Sequence, residues 1–163
     1  MSEYFLIDIA SSLTLDQARH ISDATVQAGR AAKLLPLTVA VLDAGGQLVH
    51  FQREDGCGIA RADIAIAKAG AALGMGVSSR TIGQRLANRP AFVASIAAAT
   101  GGEFVAVPGG VLILNDSGQA IGAVGVSGDG SDRDEYAAIT AIQACGLGSH
   151  PGEPVENWQN AKL

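Results

Sequence analysis

The sequence predicts an α+β fold: a mostly antiparallel, five-stranded sheet between helical layers. Three observations lead there. Two pairs of apolar runs are joined by turn residues and read as β-hairpins. Helical patterns stand before, between and after those pairs, grouped rather than alternating with single strands. The 163 residues are one domain's worth and can bury a core without a disulfide or metal staple.

The chain is organised around residues 109–144. Val111-Leu112-Ile113-Leu114 meets the turn cluster Asn115-Asp116-Ser117-Gly118, and the apolar run resumes as Ala120-Ile121-Gly122-Ala123-Val124-Gly125-Val126. Both runs are apolar on both faces, which places this hairpin in the middle of a sheet covered on two sides. Ser127-Gly128-Asp129-Gly130 ends the second strand, and Ser131 with Asp134 fits a capping box opening a helix. Glycines between a strand and a helix let ligand atoms approach backbone N–H groups at the helix's positive end. The turn lacks a P-loop lysine and the GxGxxG spacing. Asp129, Asp132, Asp134 and Glu135 would repel a phosphate. Their spacing is not that of an EF-hand, so no metal ion is expected there.

Earlier in the chain, Leu15, Ala18, Ile21, Ser22, Thr25, Val26, Gly29 and Ala32 recur at three and four, giving an amphipathic helix over 14–33 with Thr14 as N-cap. His20 falls among its polar positions. Strands follow at 37–42 and 47–53, joined by Asp43-Ala44-Gly45-Gly46. Residues 60–73 are helical and apolar nearly all round, which predicts burial, and Gly74-Met75-Gly76 ends them. Ser78 or Ser79 caps a shorter helix through Leu86, Pro90 opens another to Ala99, and Phe104-Val105-Ala106-Val107 reads as a further strand. Residues 146–163, with two prolines and the only tryptophan, read as an extended C-terminal tail, either docked, as on a neighbouring subunit, or mobile. The whole of 1–163 is read as a single domain.

Charged residues are only 17%, against about 25% in a typical soluble protein. Too little charge is present to cover a monomer, so self-association is expected. The net charge of −5, with no basic cluster, argues against nucleic acid and acidic membrane surfaces as partners. No apolar run approaches the roughly 20 residues of a membrane span, and MSEYFLIDIASS has no basic segment ahead of an apolar one. A cytoplasmic protein is expected, and Cys57 and Cys145, which form no CxxC, suit a reducing compartment in which neither must pair.

Several motifs together carry a resemblance. These are VAVLDAGG at 39–46 with Leu48-Val49, Asp55-Gly56, DIAIAKA at 63–69, Pro108-Gly109-Gly110, and IGAVGVSG at 121–128 with Asp134-Glu135. In this order they resemble the GlcG/HbpS-like family, which also includes the C-terminal domain of PduO-type adenosyltransferases. The resemblance implies a profilin-like α/β/α sandwich, a homo-oligomer, and an association with haem or related tetrapyrroles. This chain departs from the family pattern at 129–133 and with polar elements at 75–80 and 88–90, which suit a small anion.

Three functions are therefore weighed. Haem binding needs an axial ligand, for which His20, His50, His150, Met75, Cys57 and Tyr136 are available; His50, on a strand beside Phe51, is the first candidate. No CxxCH occurs, which excludes covalent attachment. An enzyme acting on a small carboxylate or carbonyl compound would clamp its ligand with Arg53, Arg80 or Arg89. It would bind the ligand at Gly128, Asp129, Gly130 and Ser131, and move protons with His50, Asp134 or Glu135. No GxSxG marks a serine hydrolase. The third function is a non-catalytic oligomeric scaffold.

Overall fold

A computed structural model describes residues 7–163; the start of the N-terminal segment read for a targeting signal, residues 1–6, lies outside them. The chain runs α1 (Leu15–Ala31), β1 (Thr38–Asp43), β2 (Leu48–Arg53), α2 (Ala60–Met75), α3 (Ser79–Arg85), α4 (Pro90–Ala99), β3 (Gly110–Leu114), β4 (Ala120–Ser127), α5 (Ser131–Ala144) and β5 (Gly148–His150). A 3-10 turn, Trp158–Asn160, follows. The five strands lie in the order β2-β1-β4-β3-β5, with every neighbouring pair antiparallel.

Strand periodicity divides the core into two layers. Val39 and Val41 of β1, Val124 and Val126 of β4, and Val111 and Ile113 of β3 meet α1 and α5 on one face. Leu42, Ala123 and Leu112 meet Ala69 and Ala72 of α2 on the other. The central hairpin lies inside the sheet, as its two-sided apolar character requires. Thr14 caps α1 in a full capping box: its side chain accepts from the Gln17 N–H, and Gln17 accepts from the Thr14 N–H at 3.0 Å.

The fifth strand differs from expectation. Residues 104–107 form no strand; Phe104 is buried with Ala71 and Ile82, and the Val105 N–H donates to the Ala67 carbonyl. That apolar run seals α2 against α3. The free edge of β3 is taken instead by β5, with Leu112 opposite His150. The expected tail thus supplies a strand, and beyond it the chain folds back along α5 of its own chain. Trp158 stacks on Tyr136 with ring centroids 3.6 Å apart, Arg133 donates to the Gln159 carbonyl at 2.6 Å, and Gln143 donates to the Gly152 carbonyl at 2.6 Å.

Helix α2 rests directly on β4 because Gly125 has no side chain. An added Cβ there would collide with the Ala65 carbonyl and lie 3.1 Å from the Ala69 Cβ. Gly125→Ala should force the layers apart and cost about 1–3 kcal/mol, the usual penalty of overpacking. Denaturant unfolding reads that loss; an unchanged midpoint would mean the helix has room to shift.

Candidate functional site

The turn between β4 and α5 gathers the buried charge of the molecule. Residues 122–130 are all buried, and Asp134 and Glu135, in the first turns of α5, have no exposure to solvent. Lys68 crosses from α2 to reach them. Its Nζ donates to the Val126 carbonyl at 2.9 Å and to Asp134 Oδ2 at 3.0 Å. The passage depends on Gly109, whose φ of +120° suits glycine and whose Cβ would stand 2.8 Å from that Nζ. Burial pushes the Lys68 pKa down and the Asp134 pKa up, to about 6, while attraction within the pair opposes both shifts.

The expected capping box at Ser131 is not formed. Gly130 is the N-cap, and Asp134 Oδ1 accepts from the Asp129 N–H at 2.9 Å because its other oxygen is held by Lys68. Asp129 in turn accepts from the Gly130 N–H at 2.7 Å, the Leu35 N–H at 2.9 Å and Arg133 at 3.3 Å. Gly128 faces the Pro36 carbonyl and Leu37, and Gly130 faces Ala161. Asp129, Asp134, Gly128 and Gly130 are therefore occupied by the chain itself.

The three arginines stand on different elements. Arg80 places its Nε 3.3 Å from Glu135 Oε1 and donates to the Glu153 carbonyl at 3.0 Å. Arg89 lies 4.3 Å over the Phe92 ring. Arg53 is exposed at the end of β2; it is opposite Thr38, which is opposite Ser127, so it stands two strands from the turn, about 10 Å away. His50 pairs in register with Val41 and so faces the α1 layer, half-buried, with its Nδ1 enclosed and unpartnered. Cys57 lies 3.1 Å from Thr38 Oγ1, packed against the sheet end. Among the described residues no three His, Cys, Asp or Glu side chains gather as a metal site, and no helix is long and apolar enough to cross a membrane.

Two recesses bring chemistry together elsewhere. A groove of about 480 Å³ runs between α1 and α5, lined by His20, Asp23, Ala24, Gln27, Ala144 and Cys145. His20 Nδ1 stands 3.6 Å from Asp16 Oδ2 one turn earlier, which leaves Nε2 directed away from the carboxylate. Burial pushes the Cys145 thiol up, so it stays protonated. The His20–Asp16 spacing on one helix was a visible signal; the meeting with Cys145, from the other end of the chain, was not. A second cleft, of about 300 Å³, lies on the opposite face beside His150.

The layers and sheet order define the class: an α/β/α sandwich on an antiparallel five-stranded sheet, consistent with the profilin-like fold the motifs implied. The family model described as haem degrading protein HbpS-like matches residues 13–143, and the chain belongs to this HbpS-like family. A solved complex of PduOC with heme is similar over 86% of this chain and 99% of its own, at 24% identity and a TM-score of 0.75. Protein ORFY of Klebsiella pneumoniae is similar over 89% and 98%, at 23% identity and 0.74. A double mutant of HbpS from Streptomyces reticuli is similar over 85% and 90%, at 26% identity and 0.70. No curated protein matches this chain.

Glu135 yields a pH prediction. Both its oxygens are buried without a hydrogen bond, and burial raises its pKa from 4.5 to about 7 against the pull of Arg80, with Asp132 adding to the rise. The folded state therefore holds this proton more tightly than the unfolded chain, and the group's contribution falls as pH rises from 4.5 to about 7. Glu135→Gln should gain on wild type across that window, by about 3 kcal/mol at most. Denaturant unfolding at several pH values measures the difference; a pH-independent offset would contradict the assignment.

Proposed function

We propose that this chain binds a tetrapyrrole, haem foremost, in the groove between α1 and α5, with His20 as the axial ligand. The observation that carries the reading is the meeting in one open groove of an accessible imidazole, backed by Asp16, and a neutral cysteine thiol. The Asp16 carboxylate, 3.6 Å behind Nδ1, is close enough to become the outer partner that metal-bound histidines commonly have. The two other histidines are less suited, since His50 and His150 each have one ring nitrogen enclosed. Ala24 and Ala144 contribute small side chains to the lining, which suits a flat macrocycle. The complex of PduOC with heme and the family's haem-degrading description support the same ligand class. Bound haem would supply a redox-active iron; this chain's residues hold and orient it.

At the turn expected to bind the ligand, residues 128–131, Asp129 and the glycines are engaged within the chain. Of the three arginines of the clamp, Arg80 is turned to Glu135, Arg89 to Phe92, and Arg53 stands two strands from the turn. Hemin titration tests the haem reading: a Soret band should grow saturably with wild type, and His20→Ala should weaken binding at least about tenfold with the fold intact. An unchanged Soret position and affinity in His20→Ala would move the ligand elsewhere.

Self-association belongs to the same proposal, as does a cytoplasmic location, which two free cysteines suit. Helix α4, PAFVASIAAA, carries no charged side chain, yet none of its residues is buried in the single chain and Phe92 is 39% exposed. A helix apolar on every side is normally covered. Light scattering should find an oligomer, and Phe92→Glu should lower its mass; a monomer at micromolar concentration would exclude this.

A further inference from the structure

The cleft beside His150 is almost wholly apolar. It is lined by Gly76 and Val77 at the end of α2, Leu112 and Leu114 of β3, Gly118 of the β3–β4 turn, Ala120 at the start of β4, and His150 of β5. No charged residue lines it. Its volume of about 300 Å³ lies at the lower end of small-molecule sites. Gly76 and Gly118 have nothing within 4 Å of where a Cβ would be, so these two positions leave open space at the cleft. The one polar side chain is His150, which shares the α2 face with its register partner Leu112. Its Nε2 is enclosed and has no hydrogen-bond partner.

An apolar recess with a single unpaired imidazole is a costly arrangement unless something uses the imidazole. A leucine at this position would leave no polar atom unpaired.

We propose that this cleft is a second binding site, separate from the α1–α5 groove, which takes a small neutral molecule with an apolar ring or chain and one hydroxyl hydrogen-bonded to His150. The apolar lining selects against charge, since a carboxylate or phosphate would lose its hydration with no lysine or arginine to replace it. One hydroxyl matches the one imidazole, which can donate or accept. A half-turn about χ2 exchanges the enclosed Nε2 with the position of Cε1 and Nδ1 with that of Cδ2, and this turn would bring a nitrogen to the cleft. The site lies on the α2 face, and the His20 groove lies in the α1–α5 layer on the other side of the sheet.

Phenol is a suitable probe for the full-length protein carrying isotope-labelled histidine. Millimolar phenol should move the His150 ring resonances saturably and raise the melting temperature. Ala120→Trp, at an exposed position lining the cleft, should abolish both effects. His150→Leu should melt at least as high as wild type without phenol, yet gain nothing from it. Resonances unmoved by phenol, phenol effects that persist in Ala120→Trp, or a His150→Leu protein that melts lower than wild type would each overturn the proposal.

Discussion

Lys68 and Asp134 meet at 3.0 Å, out of reach of solvent, and this contact joins the helical layer on one face of the sheet to that on the other. Removing two charges from water is expensive, and breaking such a pair from one side leaves the survivor uncompensated, at a typical cost of about 3–5 kcal/mol. The geometry around it is correspondingly complete. Lys68 also holds the Val126 carbonyl at the end of β4, and Asp134 also holds the Asp129 N–H. Asp129 secures the segment leading into β1 through the Leu35 N–H, and Arg133 reaches the C-terminal strap through the Gln159 carbonyl. One ion pair thus stands at the head of contacts that fix the turn, the entry to the sheet and the final residues.

The same contacts close the acidic, glycine-rich turn on the chain itself. Glycines and acids at a helix start have two uses, to admit a ligand or to let the chain close on itself. Here Pro36, Leu37 and Ala161 fill the space beside Gly128 and Gly130. The two recesses proposed to hold ligands share no residues and lie one on each side of the sheet. The α1–α5 groove combines an accessible imidazole with a thiol; the cleft beside His150 is almost wholly apolar. Membership of the HbpS-like family fits the first, while the second rests on the side chains of this chain alone.

Interactions within a few residues were legible before folding was considered. The Thr14 cap, the turns at 43–46 and 115–118, the two-sided apolar character of β3 and β4 and the stop at Gly76 all follow from local sterics and hydrogen bonding. The apolar run at 104–107 and the polar segment at 148–150 show where that reading ends. Strand formation depends on an available edge, and the edge of β3 went to the segment that α5 delivers to it, although its residues are poorer strand formers. His20 and Cys145 have no pattern in common along the chain. The sequence by itself determined the class of fold, the central hairpin and the family motifs, because these arise from periodicity and turn chemistry over short distances. Only the tertiary structure decided that Lys68 would find Asp134 66 residues away, and which histidines would face open space, because those outcomes depend on burial and on partners the chain brings together only when it closes.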